Sequence, residues 1–92
     1  MQFEWDEAKR QENLRKHRID FVDVPAMLSG PMLTSLDLRE EYGEDRWRGI
    51  GFLSSIVAVV VWAERVEDVI RIISARKATR QEREQYERYL RN

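Results

Sequence analysis

Apolar residues in the second half of the chain alternate with polar residues or form short runs, and both patterns predict β-strands. The predicted strands cover 33–38, 47–53, 56–62 and 69–74. The third segment is continuously apolar and β-branched, which is typical of a strand buried on both faces. We therefore expect 56–62 at the centre of a mainly antiparallel sheet, to which 2–5 adds one short strand.

Helix signals lie on both sides of this strand pattern. Asp6 is placed as the N-cap of a first helix that ends near residue 17. A second helix is predicted over 20–28, and it is short or bent because Pro25 removes one backbone hydrogen bond. Thr79 and Glu82 form a capping box, which predicts the start of a C-terminal helix. The expected fold class is α+β, with two N-terminal helices and one C-terminal helix.

Composition narrows the class of protein. The chain has 92 residues, which favours a single domain over 1–92. It contains no cysteine, which excludes disulfides, thiolate zinc sites and Cys nucleophiles and favours the cytoplasm as its location. The longest apolar run, 56–63, is too short to span a bilayer, and the first residues do not form a basic and apolar leader. We predict neither secretion nor membrane insertion.

Charge is distributed unevenly along the chain. The net charge of -1 gives no reason in itself to expect nucleic-acid binding. Residues 71–92, however, contain seven cations and three carboxylates, so this segment carries +4 and residues 1–70 carry -5. The asymmetry favours an acidic ligand at one face of the protein.

Two arginines near the last predicted strand indicate the chemistry of this ligand. Arg71 and Arg76 lie where aliphatic residues alternate with cations, just before the C-terminal helix. A guanidinium can bind a phosphodiester and stabilise its growing charge, so RNA is the predicted ligand. The alternative is that both arginines pair with carboxylates at the sheet rim. In an extended strand they point to opposite faces, so joint action requires an early strand end or a bulge near Ala75.

Cleavage of RNA without a metal ion requires a base, an acid and cations that stabilise the pentacovalent phosphorus. Glu44 is the candidate base, His17 is a candidate acid or base, and Arg46 joins the two arginines as a candidate phosphate clamp. The alternative for His17 is interaction with the dipole of the helix that it ends. The polar stripe of that helix either binds RNA or is simply solvated. The candidate RNA-binding residues are Lys16, Tyr42 and Lys77.

Other chemistry has no support in the sequence. It lacks a His pair, a Cys cluster or an Asp-rich loop with metal-ligand spacing, and it lacks P-loop, GxGxxG and Ser-His-Asp motifs. We therefore predict neither a metal site nor a cofactor. Aromatic residues could stack on bases, but packing in the core is favoured for Trp5 and Trp62. Tyr42 lies in a polar turn and is open to either role.

Three blocks at the start, middle and end of the chain share the pattern of a known family. The first is Phe3-Glu4-Trp5-Asp6 with Lys9, Asn13 and Lys16-His17, and the second is Gly43-Glu44 with Arg46 and Gly49. The third and most specific is Arg71-Ile72-Ile73-Ser74-Ala75-Arg76-Lys77-Ala78, followed by Glu82-Arg83 and Tyr86. In their order and spacing these blocks resemble the BrnT family of ribonuclease toxins. The chain departs from the family at Arg18, where a Gly commonly follows the Lys-His pair.

The resemblance implies a RelE-like fold and a bacterial endoribonuclease that inhibits translation. It also implies a tightly bound BrnA-like antitoxin that dimerises to give a heterotetramer. This antitoxin carries the DNA-binding part, so the toxin contacts DNA only indirectly. The family pattern supports five site residues without deciding which is the acid or the base: His17, Glu44, Arg46, Arg71 and Arg76.

Two classes of function remain in competition. The leading hypothesis is a metal-independent ribonuclease toxin that uses attack by the RNA 2′-hydroxyl and leaves a cyclic phosphate and a 5′-hydroxyl. The alternative is a catalytically inactive module that binds RNA or an antitoxin through the same arginine surface. A purely structural interaction domain would leave the basic C-terminal segment unexplained.

Overall fold

The computed structural model of the protein describes residues 1–39, 41, 43–66 and 68–92, apart from the side chain of Arg65. Tyr42, predicted to contact RNA, lies outside the described residues. The strands are β1 Gln2–Glu4, β2 Met32–Leu36, β3 Arg46–Leu53, β4 Ile56–Val66 and β5 Val69–Lys77. The helices are α1 Glu7–His17, α2 Val24–Leu28 and α3 Arg80–Arg91, and a 3₁₀ turn, Phe21–Asp23, precedes α2.

All five strands form one mixed sheet in the order β1-β5-β4-β3-β2. The β2–β3, β3–β4 and β4–β5 pairs are antiparallel, whereas β1 is parallel to β5. The central place of β4 confirms the prediction made from its continuous apolar sequence. Both β4 and β5 extend beyond the predicted segments, because backbone pairing continues to Val66 and Lys77 after the apolar pattern stops.

The helix ends follow from local capping chemistry. The Asp6 carboxylate accepts hydrogen bonds from the backbone N–H groups of Ala8 and Lys9 and so starts α1. Helix α1 ends at Arg18, whose φ of 61° places a non-glycine residue in the left-handed region. The left-handed conformation costs a non-glycine residue about 1 kcal/mol. Arg18 nevertheless adopts the helix-ending conformation that glycine would favour at this position.

The predicted second helix is divided, as its proline suggested. Asp20 caps the 3₁₀ turn by accepting a hydrogen bond from the N–H of Val22. Pro25 lies in the first turn of α2, where its missing N–H costs little.

The sheet is covered unequally on its two faces. On one face, the 3₁₀ turn and α2 contribute Phe21 and Val24 to a core that includes Trp62. On the other face, which we call the α3 face, Tyr86 of α3 packs against Ile50 and Val59. Tyr86 therefore attaches α3 to this face of the sheet.

Asn13 fixes α1 to the sheet. β1 pairs with only the first three residues of β5, so it does not reach Ala75. Instead, the buried Asn13 amide donates to the Ala75 carbonyl at 2.8 Å and accepts from the Ala75 N–H at 3.2 Å. It also donates to the Ile19 carbonyl at 3.0 Å. One side chain therefore replaces a neighbouring strand at this edge.

No described helix is long enough and apolar enough to cross a lipid bilayer.

Replacement of Asn13 tests this attachment. Asn13→Ala leaves three buried backbone groups without the partner that they have in the native protein, so we expect a loss of about 2–4 kcal/mol in the free energy of unfolding. Urea denaturation measures the change. The control, Gln11→Ala, removes an exposed side chain of the same helix that bonds Glu7, and should cost less than about 0.5 kcal/mol. Equal losses in the two variants would contradict this role of Asn13.

Candidate functional site

A β-bulge in β5 determines where its arginines point. Ser74 pairs with Val61, but the next residue of β4, Trp62, pairs with Ile72, so Ile73 is an extra residue in β5. Side chains after Ile73 therefore point to the opposite face of the sheet from the one that strict alternation along β5 would give them.

As a result, Arg71 and Arg76 share the α3 face. Arg71 lies opposite Ala63 and Arg76 lies opposite Val59, and these two partners are separated by an even number of positions on β4. The structure confirms one of the two expected alternatives, a bulge near Ala75. The strand does not end early, because the register shift lies at Ile73, two residues before Ala75, and pairing then continues to Lys77.

Strand β3 brings two further guanidiniums to the same face. Arg46 lies opposite Ala63, and Arg48 lies opposite Val61. We call the set Arg46, Arg48, Arg71 and Arg76 the arginine face. Arg48 was not predicted, although its sequence position two residues after Arg46 on a strand was a usable signal.

Glu82 joins two members of the arginine face. Its carboxylate accepts from both terminal nitrogens of Arg76, at 2.8 and 2.9 Å, and from Nη2 of Arg48. It also accepts from the Thr79 N–H at 2.9 Å, and the Thr79 hydroxyl accepts from the Glu82 N–H, which completes the predicted capping box. The sequence predicted this cap but not the ion pair with Arg48, which is 34 positions away in the chain.

These contacts lower the basicity of Glu82. The hydrogen bonds from Arg76 are the main cause that holds the pKa of Glu82 at about 2, against an opposing effect of burial. The Thr79 N–H and the positive charge of Arg48 act in the same direction. Glu82 therefore remains ionised at physiological pH and is a poor proton acceptor there.

The remaining members of the arginine face are also close to carboxylates. Arg71 donates to Glu4 at 2.8 Å, because the parallel pairing of β1 and β5 sets these residues side by side. A guanidinium nitrogen of Arg46 lies 3.9 Å from the carboxylate of Glu44. The structure thus brings Glu44, Arg46, Arg71 and Arg76 to one side of the sheet. The pairing with carboxylates that was the alternative for Arg71 and Arg76 is present for both.

An open groove runs beside the arginine face. Its lining residues are Leu36, Asp37, Leu38, Arg39, Arg48 and Arg76. A second depression shares its first four residues and continues to Glu44 and Arg46. The side chain of Asp37 is 1% exposed and accepts a two-point ion pair from Arg39. The two depressions together form a solvent-accessible path whose guanidiniums belong to Arg39, Arg46, Arg48 and Arg76, whereas Arg71 lines neither depression. The second depression also has the carboxylates of Glu41 and Asp45 in its lining.

His17 is not part of this path. With Lys16 it lines a separate groove between α1 and the bulge of β5, where Lys9 and Glu12 add further charges. Ser74 also lines this groove, although it pairs with Val61 and so belongs to the α3 face of the sheet. None of the four residues of the arginine face lines the groove of His17.

The other predicted contacts have mixed outcomes. Lys77 is exposed at the end of β5 and pairs with Ala58, a residue of the core on the side opposite the α3 face. Trp62 is buried and Trp5 packs edge-on against Phe21, so packing is confirmed as the role of these two aromatics. Among the described residues, no three His, Asp or Glu side chains come together as a metal site.

The Glu82 contacts predict a pH-dependent stability. The folded-state pKa of Glu82 is below its ordinary value of 4.5, so its contribution is complete above about pH 4.5 and is lost as the pH falls towards 2. We expect Glu82→Gln to lower the free energy of unfolding by about 2 kcal/mol near neutral pH and by almost nothing near pH 2.

Urea denaturation at several pH values measures this difference. Glu84→Gln is the matched control, since Glu84 is an exposed residue of the same helix that pairs with Arg80 at 3.4 Å. Its effect should stay below about 0.5 kcal/mol throughout. A Glu82→Gln effect that is independent of pH would contradict an origin in the ionised carboxylate.

Comparisons with known proteins identify the family of the chain. A family model described as "Ribonuclease toxin, BrnT, of type II toxin-antitoxin system" matches residues 5–82. The structure is similar to the 1.1 Å crystal structure of the Brucella abortus ribonuclease toxin BrnT, with 30% sequence identity, a TM-score of 0.66, and coverage of 87% of this chain and 99% of that chain. None of the curated proteins matches significantly. Since the family model covers most of its length, the chain belongs to the BrnT family of ribonuclease toxins of type II toxin-antitoxin systems.

Proposed function

We propose that the protein is a metal-independent endoribonuclease that inhibits translation in the cytoplasm. The RNA 2′-hydroxyl attacks the adjacent phosphorus, and the products are a cyclic phosphate and a 5′-hydroxyl. The observation that carries the proposal is the arginine face, where two adjoining strand pairs hold four guanidiniums on one side of a rigid sheet. Family membership supports the same class of reaction.

The arginine face suits a reaction in which negative charge grows on phosphorus. The guanidiniums of Arg71 and Arg76 form ion pairs with Glu4 and Glu82, so their positions are set before the substrate arrives. Preorganised cations stabilise a transition state more effectively than cations that must reorganise during the reaction. The side chains retain 28% and 36% exposure, which leaves part of each accessible to a phosphate.

The geometry also supports a division of roles. Arg46, Arg71 and Arg76 contact the scissile phosphate, and Glu44 takes the proton of the 2′-hydroxyl because it lies next to Arg46. His17 and Lys16 line the separate groove between α1 and the bulge of β5, so they contact a neighbouring nucleotide. Lys77 contacts the RNA backbone and Tyr42 contacts a base. Both of these roles are assigned from the sequence; Lys77 lies exposed at the end of β5, and Tyr42 lies outside the described residues.

The proposed protein partner is a BrnA-like antitoxin. A type II toxin is neutralised by a protein, and membership of this family therefore implies an antitoxin. The antitoxin dimerises to give a heterotetramer and carries the DNA-binding part, so this chain contacts DNA only through it. We assign the mixed sheet and its flanking helices to the RelE-like class on the same basis.

The ion pairs favour a second candidate function. Since Arg71 and Arg76 already have carboxylate partners, they could serve to hold the sheet edge and α3 in place. The protein would then be a module that binds RNA or an antitoxin without catalysis.

Cleavage of a purified structured RNA in EDTA separates the two functions. The wild-type protein should produce fragments with cyclic phosphate ends, while Arg71→Ala and Glu44→Ala should cut at least about 100-fold more slowly. Both variants should remain folded, because partly exposed ion pairs contribute about 1 kcal/mol or less.

The control for the loss of a cation is Arg83→Ala, an exposed residue of α3 outside the arginine face, which should cut at the wild-type rate. End-group analysis and circular dichroism accompany each measurement. Intact RNA after incubation with folded wild-type protein would favour the binding module. Cleavage that EDTA abolishes would reject metal independence.

A further inference from the structure

We propose that Arg48 and Arg76 form a phosphate-binding subsite for RNA and that Glu82 is the positioning residue that holds them together. The inference deepens the ribonuclease function proposed above and rests on it for the choice of ligand. It adds two residues, Arg48 and Glu82, to those that the sequence indicated. Its ligand is the RNA phosphodiester that Arg76 contacts in the proposed reaction.

The first argument is geometric. Arg48 on β3 lies opposite Val61 of β4, and Arg76 on β5 lies opposite Val59, so the two cations project from strands on either side of β4. Glu82 bonds both of them from the first turn of α3. The two guanidiniums are therefore held over the same part of the central strand by one carboxylate.

The second argument is the balance of donors and acceptors. The Glu82 carboxylate accepts hydrogen bonds from Arg48, from both terminal nitrogens of Arg76 and from the Thr79 N–H. Together these four bonds occupy both carboxylate oxygens. Each guanidinium has five N–H donors, of which the bonds to Glu82 use only part. Arg48 and Arg76 are 26% and 36% exposed and line the same open groove. The cluster thus retains donors at a surface that a ligand can reach.

The third argument is charge. Two guanidiniums and one carboxylate leave a local charge of about +1, which a phosphodiester neutralises. The pair of Arg71 with Glu4 has no such excess. Glu82 also has a poor capacity to accept a proton, since its pKa is about 2, so its role is to orient cations and not to act as the base.

Binding of an RNA that cannot be cleaved tests the subsite directly. The probe is a short single-stranded RNA with 2′-O-methyl riboses, titrated at several salt concentrations. Arg48→Gln should raise Kd about tenfold at low salt and reduce the slope of log affinity against log salt by about 0.7, the value for one lost phosphate contact. The control Arg80→Gln removes an equal charge from a side chain that is 84% exposed and should leave the slope unchanged.

Equal changes in the Arg48→Gln and Arg80→Gln variants would overturn the subsite, because the effect would then come from overall charge. This comparison needs no catalysis. If the wild-type protein cut no RNA, the proposed ribonuclease function would fail, but the binding data would still decide whether the subsite exists.

Glu82→Gln tests positioning, because glutamine preserves side-chain size and can still complete the capping box. With the negative charge removed, the uncleavable RNA should bind about threefold more tightly, whereas kcat for a cleavable RNA should fall about tenfold because the guanidiniums are less firmly held. Glu84→Gln controls for the change of charge. Thr79→Ala controls for the loss of helix capping and should lower kcat by about twofold or less, because Glu82 keeps its ion pairs with Arg48 and Arg76.

A rise in RNA affinity together with a fall in kcat is specific to a positioning role of Glu82. A Glu82→Gln variant that binds RNA more weakly, or that matches Thr79→Ala in melting temperature and in kcat, would reduce Glu82 to a structural cap and overturn that part of the proposal.

Discussion

The extra residue in β5 is the constraint on which the arginine face depends. Without the register shift at Ile73, Arg71 and Arg76 would point to opposite faces of the sheet. The shift also lies next to the place where Asn13 replaces a neighbouring strand at Ala75. One irregularity therefore separates a strand segment paired with β1 from a segment held by α1, while the cations of both segments share a face.

Glu82 connects the stability of the fold to the organisation of the site. A capping box is a local device that starts a helix, and here its carboxylate also bonds two guanidiniums from different strands. The same ionised group thus contributes to helix formation, to the attachment of α3 and to the orientation of Arg48 and Arg76. In this family member, structural and functional explanations of the ion pairs are compatible, since cations that are held firmly are also cations that are prepared for a phosphate.

The sequence predicted those features that depend on neighbouring residues. Asp6 and the capping box start their helices as expected, and the continuous apolar run became the central strand. The ends of β4 and β5 were placed too early, because backbone pairing does not stop where hydrophobicity does.

Within the candidate site, Arg71 and Arg76 could be selected from the sequence, but their common face could not. That face depends on a register shift opposite β4, and the Arg48–Glu82 contact joins residues 34 positions apart. Local patterns carry no information on the register shift or on the Arg48–Glu82 contact.

The capping contact has a kinetic consequence. The first turn of a helix frays more readily than its centre, and fraying at Thr79 would release both guanidiniums that Glu82 holds. The lifetime of one helical turn therefore limits the lifetime of the organised cation pair.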